Sequence, residues 1–118
     1  KWFRKAAEQG HVYAQYNLGN GFLKGKGVTK NYAKAAEWYR KAANQGDVES
    51  QFQLGGLYFA GFGVPQNYVK AYMWFSLAKV LGNEKAVEGL SLVQKRMTAA
   101  DISKAQALAT EWWEEHNN

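Results

Sequence analysis

Cysteine is missing from these 118 residues, which excludes disulfides and thiolate metal sites. Its absence does not choose a compartment, because periplasmic proteins too can lack it. Histidine is nearly missing: His11 reads as a helix start and His116 as part of a fraying tail. Neither is placed as the base or ligand that catalysis or a metal centre needs. The single proline, Pro65, falls in a glycine-rich turn. No apolar run approaches the roughly 18 residues that span a bilayer. No signal peptide is visible, and since the chain opens partway through a repeated motif, a segment upstream is expected.

Phosphate-binding signatures are also lacking. Gly25-Lys26 would need a Ser or Thr next, and a glycine five positions before Gly25. Gly27 and Asn20 stand there. The pairs Gly25-x-Gly27 and Gly61-x-Gly63 lack the third glycine of a dinucleotide fingerprint, with Lys30 and Gln66 in its place. Thr98 and Asp101 have the spacing of a helix cap, and Glu114-Glu115 that of a solvated helix end. No catalytic residue, metal site or cofactor is expected, and the chain does not read as an enzyme.

What the chain has is internal repetition. Shifted by 36 residues, 11–46 falls on 47–82 with fourteen identities, among them Gln15/Gln51, Leu18/Leu54, Gly19/Gly55, Trp38/Trp74 and Gly46/Gly82. A fixed period in this range is the mark of a stacked repeat architecture. Ala71, Trp74, Phe75 and Ala78 recur at i, i+3, i+4 and i+7, one apolar stripe on a helix. Ala35, Trp38, Tyr39 and Ala42 repeat that stripe, and Trp2, Phe3 and Ala6 repeat it again. Gly19 and Gly55 fall mid-helix, where glycine costs about 1 kcal/mol relative to alanine. The cost points to a second helix crossing closely there. The glycine turns at 25–30 and 61–66 separate each unit's two helices, and Asn31 and Asp47 are placed as N-caps.

The pattern Ala-x-x-x-Leu-Gly-x-x-Tyr/Phe-x-x-Gly-x-Gly-Val, then Asn-Tyr-x-Lys-Ala and Trp-Tyr/Phe-x-x-Ala, closely resembles the Sel1-like repeat. That family is related to the tetratricopeptide repeat and has a longer intra-repeat loop. The resemblance covers about residues 1–97, with Ala14 becoming Ser50 as a small-for-small departure, and the ending is similar to the closing segment of bacterial members. It implies an all-α, right-handed solenoid used for protein–protein interaction. Within a single array, 1–10 reads as a half repeat, 11–46 and 47–82 as full repeats, and 83–118 as a capping helix pair. In that last unit Ser91 stands where Gly19 and Gly55 stood. Met73, Leu77 and Leu81 replace Glu37, Lys41 and Gln45, so the second helix of 47–82 is apolar nearly all round. Such a helix is buried on more than one side, and the C-terminal helices are expected to wrap onto it.

The partner site is then expected on the concave groove lined by the first helices. A tetratricopeptide layout implies Tyr13, Tyr16, Asn20, Lys24, Glu49, Phe52, Gly56, Phe59, Glu88 and Leu92 towards it, although for Tyr16 and Phe52 the stronger reading is a wedge between helices. The site expected is Tyr13, Asn20, Lys24, Glu49, Phe59, Glu88 and Leu92. An alternative site is Phe62, an aromatic at a loop tip where the first repeat has Lys26. The expected function is a scaffold or adaptor for another protein or peptide. Alternatives are a regulatory partner of a bacterial envelope or signalling protein, in cytoplasm or periplasm, and nucleic-acid binding through the basic N-terminal half. Residues 1–41 hold nine Lys/Arg against two acids, whereas 83–118 hold four against six. Lys24, Lys26, Lys30 and Lys34 gather near Tyr32, but Ala60, Phe62 and Gln66 replace the first three in the next repeat. Weak self-association is expected through Trp2 and Phe3, which lack the first helix of their own repeat.

Overall fold

The computed structural model describes the backbone of residues 2–116 and the side chains of residues 4–116. The expectation of a sticky end at Trp2 and Phe3 therefore lies outside the described residues. Every regular element among them is an α-helix. In order these are α1 (Trp2–Glu8), α2 (Val12–Lys24), α3 (Tyr32–Ala43), α4 (Val48–Ala60), α5 (Tyr68–Val80), α6 (Lys85–Gln94) and α7 (Ala99–His116). Each packs on the next through α6, while α7 turns back to lie on α5. The stack measures 45 × 31 × 22 Å.

Local chemistry sets the helix ends. The Asn31 side chain accepts from the Lys34 amide at 3.0 Å, Asn67 from Lys70 at 3.0 Å, and Asp47 from Ser50 at 2.9 Å. Thr98 and Asp101 close a reciprocal box, each side chain accepting from the other's backbone amide. These are the caps the residue types demand. At the other end α2 closes on Gly25 at φ 72°, with the Lys26 amide donating to Gly21 carbonyl at 2.9 Å. Gly61 closes α4 in the same way. A left-handed residue there is what glycine supplies at least cost.

The core runs along the stack rather than forming a ball. Leu18, Phe22, Ala35, Trp38 and Tyr39 are buried in the first copy, and Leu54, Tyr58, Ala71, Trp74 and Phe75 in the second. The mid-helix glycines let this interlock. A β-carbon on Gly19 would sit 2.7 Å from the Tyr39 ring, and one on Gly55 2.8 Å from the Phe75 ring. Tyr16 lies against Tyr39 at 6.2 Å and Phe52 against Phe75 at 5.7 Å, ring centre to ring centre.

Two details depart from expectation. The close approach in α6 is made by Gly89, where a β-carbon would sit 2.9 Å from the Phe75 ring, and Ser91 is exposed. A single ring thus wedges between α4 and α6, which moves the small residue by two positions. His116 does not fray: it belongs to α7 and stacks on Trp112 at 4.2 Å.

The wrapping expected of the C-terminal helices is observed. Leu77 is buried, Trp112 meets Trp74 edge-on at 5.9 Å, and Gln106 donates to the Tyr72 hydroxyl. Trp112 also donates from its indole to Asn44, at the end of α3, at 2.9 Å. Leu81 keeps about a third of its surface exposed and lies at the margin of this contact.

Candidate functional site

The residues expected in the groove come from the first helix of each unit: α2, α4 and α6. Buried positions of these helices are shared, with Leu18, Leu54 and Leu90 in register and Gln15 answering Gln51. The other faces differ in chemistry. Tyr13 is 71% exposed near the start of α2, and Lys24 is exposed at its end. Glu49 is exposed at the start of α4, and Asn83 donates to its carboxylate over a long 3.5 Å. Glu88 is exposed on α6, and Leu92 is 53% exposed there. Gly56 faces open space, with no heavy atom within 4 Å of a β-carbon built on it.

Two of the expected residues are already engaged. Asn20 is half-buried and accepts a short hydrogen bond from the Tyr39 hydroxyl. Burial, with the Tyr16 phenol adding to it, pushes Tyr39 well above the ordinary tyrosine range, so its proton stays on to donate. Phe59 is half-buried against Tyr68, ring centres 5.8 Å apart. Asn20 and Phe59 are thus in part packing residues, while Tyr13, Lys24, Glu49, Glu88 and Leu92 stand open.

The alternative, Phe62, is not a free loop tip. Its ring stacks on Tyr32 of the first copy at 5.1 Å and 16°, leaving it half exposed. Next to it, a β-carbon on Gly63 would fall 2.3 Å from the Tyr32 carbonyl oxygen. The second copy's loop therefore clasps the start of α3, and Phe62 joins the copies besides facing solvent.

Sequence reasoning paired Gln15 with Gln51 without assigning either a task. Both are buried, and each donates across a unit boundary: Gln15 to Ala7 carbonyl at 3.1 Å, Gln51 to Ala43 carbonyl at 3.2 Å. An identical glutamine amid apolar identities was the available signal. A buried amide remains only where it is hydrogen-bonded.

No set of three His, Asp or Glu side chains among the described residues could hold a metal ion. No helix among them is long and apolar enough to cross a membrane. A cavity of about 300 Å³ is lined by Arg4, Asn17, Leu18, Gly21, Lys26, Gly27 and Val28. It is a surface recess of mixed polarity.

With this geometry in hand, comparison with known proteins is direct. The Sel1 repeat family model matches residues 1–11, 12–47 and 48–83. No curated protein is similar to the chain at a significant level. Three solved structures are similar. One is c5321, described as a protective antigen of uropathogenic Escherichia coli strains with an SLR fold: 43% identity, TM-score 0.93, covering 98% of this chain and 25% of that one. A Sel1 repeat protein from Oxalobacter formigenes shows 41% identity and TM-score 0.74, over 77% of this chain and 37% of its own. Helicobacter pylori cysteine rich protein B shows 34% identity and TM-score 0.69, over 74% of this chain and 65% of its own. The chain thus spans from a quarter to just under two thirds of these proteins. Sel1 repeats are commonly protein-interaction scaffolds rather than enzymes. Repeat spacing, helical stack and these likenesses agree, and the chain belongs to the Sel1 repeat family.

Proposed function

We propose that this array is a scaffold that binds a partner protein or peptide along the concave face of α2, α4 and α6. The observation that supports it most is the pairing of a common buried frame with uncommon exposed residues. Leu18, Leu54 and Leu90 hold the frame, while Tyr13, Glu49 and Leu92 stand open on the same helices. An exposed tyrosine and leucine offer large contact area at small entropy cost, and tyrosine is frequent among binding hot spots. Divergence from unit to unit suits an asymmetric peptide, which must be read in one direction.

Site-specific photo-crosslinking in native lysate tests this. A photoreactive phenylalanine analogue at Tyr13 or Leu92 should trap one discrete protein, and the same analogue at Glu111 on α7 should not. Crosslinks only from Phe62, or equal smears from every position, would remove the groove reading. With the partner in hand, Tyr13→Ala should weaken binding by about 1–2 kcal/mol without loss of helix content. Phe59→Ala should weaken binding comparably, although its packing on Tyr68 makes some loss of stability expected as well.

A further inference from the structure

We propose that the edge carrying the loop after α2 docks a short acidic segment of a partner protein, at a surface separate from the groove. Two helices and the loop between α2 and α3 bring cations together there. Arg4 of α1 and Lys34 of α3 both lie over the Phe22 ring of α2, at 5.9 and 5.8 Å from its centre. Lys30 lies 5.0 Å over the Tyr32 ring, whose other neighbour is Phe62. Lys26 shares the 300 Å³ recess with Arg4. Residues 1–46 contain only two acids, Glu8 and Glu37. Each lies within a turn of Arg4 or Lys34, yet those cations turn to the ring instead.

Rings hold these side chains in place before anything binds. Contacts of this kind contribute about 0.5–1 kcal/mol each at exposed sites. The cations have therefore already lost part of the rotamer freedom that binding would otherwise remove. Like charges on one edge repel one another, the more so the closer they stand relative to a Debye length of roughly 8 Å in physiological salt, and a bound anion relieves that.

The occupant is an acidic peptide rather than a nucleic acid because the rings are in use. Single strands bind through base stacking on free aromatic faces. Phe22 is buried beneath two cations, and Tyr32 lies between Lys30 and Phe62. The positive edge also stops within one repeat, as Ala60, Phe62 and Gln66 replace Lys24, Lys26 and Lys30. Where it stops, the half-exposed Phe62 suits an apolar residue at the end of the acidic stretch.

The test is fluorescence anisotropy on the 118-residue chain with a labelled oligoglutamate peptide ending in leucine. Reversing Lys26, Lys30 and Lys34 to Glu should weaken binding by about tenfold or more. Reversing Lys79, Lys85 and Lys104, the same net change elsewhere, should weaken it less than about threefold. The single change Lys30→Glu should fall between, and circular dichroism should show all variants helical. Equal loss in both triple variants would mean that net charge alone attracts the peptide, and the proposal falls. It also falls if an oligothymidylate of matched charge displaces the peptide at lower concentration, which would favour nucleic acid at this edge. Tyr13→Ala should leave this binding unchanged, so failure here and failure of the groove reading are separable.

Discussion

At the end of α3 the first copy presents Lys41, Asn44 and Gln45, where α5 in the second copy presents Leu77, Val80 and Leu81. Lys41 lies over the Trp38 ring at 4.5 Å and keeps its charge in solvent. Leu77 is buried under α7. Asn44 accepts from Trp112 in α7, while Val80 stays 68% exposed. Gln45 donates both to Gly10 carbonyl and to Gln15 Oε1. Leu81 can do neither, and in the second copy Gln51 Oε1 is buried with no partner. The same backbone has thus been stitched by polar bonds in one copy and by an apolar helix in the other. What the comparison teaches is that the covering element, not the repeat, decides which of the two a position carries.

The largest separation should appear at the repeat tryptophans. Both are buried, so Trp38→Ala and Trp74→Ala should each cost about 3–5 kcal/mol. Trp74 should fall at the upper end because it also loses its edge contact with Trp112, a type worth about 0.5–1.5 kcal/mol. Thermal or urea melts read this directly. A loss below about 1 kcal/mol in both would mean that the core lies elsewhere.

Next come two adjacent glycines that should move in opposite directions. Gly55→Ala must push into Phe75 and should cost about 1–3 kcal/mol by overpacking. Gly56→Ala meets nothing within 4 Å and should stabilise by about 0.5–1 kcal/mol through helix propensity. If both changes stabilise, the close crossing of α4 and α5 is wrong.

These cases show what could be seen in advance. The crossing at Gly19 and Gly55 was legible because each glycine violates helix propensity in register with a large ring one helix later. The capping residues were legible because their side-chain chemistry acts within three residues. Contacts between units were not. Phe62 on Tyr32, Gln51 on Ala43 and Trp112 on Asn44 depend on how one hairpin sits on another. A 36-residue self-similarity describes the hairpin and leaves that placement open. Gly89 escaped for the same reason, since its approach to Phe75 depends on how α6 sits on α5. Among the expected groove residues, exposure at Tyr13 followed from the tetratricopeptide layout, whereas the engagement of Asn20 with Tyr39 is a contact between helices.

A smaller difference lies at Ser50, which stands where the first copy has Ala14. Its hydroxyl is buried with no hydrogen-bond partner. A buried group of that kind costs about 1–3 kcal/mol when unpaired. Ser50→Ala should therefore raise stability by about 1 kcal/mol, read as a higher urea midpoint at unchanged slope. The amide of residue 50 still donates to Asp47 after the change, so the cap is not at issue. A lower midpoint would show that the hydroxyl has a partner after all.

The smallest expected effect is the most discriminating, because it asks whether one copy can be made to stitch like the other. Leu81 lines a recess of about 240 Å³ together with Gln45, Gly46 and Trp112. Gly46 corresponds to Gly10, the acceptor that Gln45 reaches in the first copy. A glutamine at 81 would thus stand before Gly46 carbonyl and the unpaired Gln51 Oε1 as Gln45 stands before Gly10 and Gln15. A new hydrogen bond contributes about 0.5–1.5 kcal/mol net. Against it stands the apolar surface of a leucine that is already about a third exposed, so Leu81→Gln should come out neutral to about 1 kcal/mol more stable. The mirror change, Gln45→Leu, leaves Gln15 Oε1 without its donor and should cost about 1–2 kcal/mol. A matched pair of urea titrations decides it. Were Leu81→Gln to cost as much as Gln45→Leu, the second copy would be held by Leu81 packing on α7, with no polar stitch to restore.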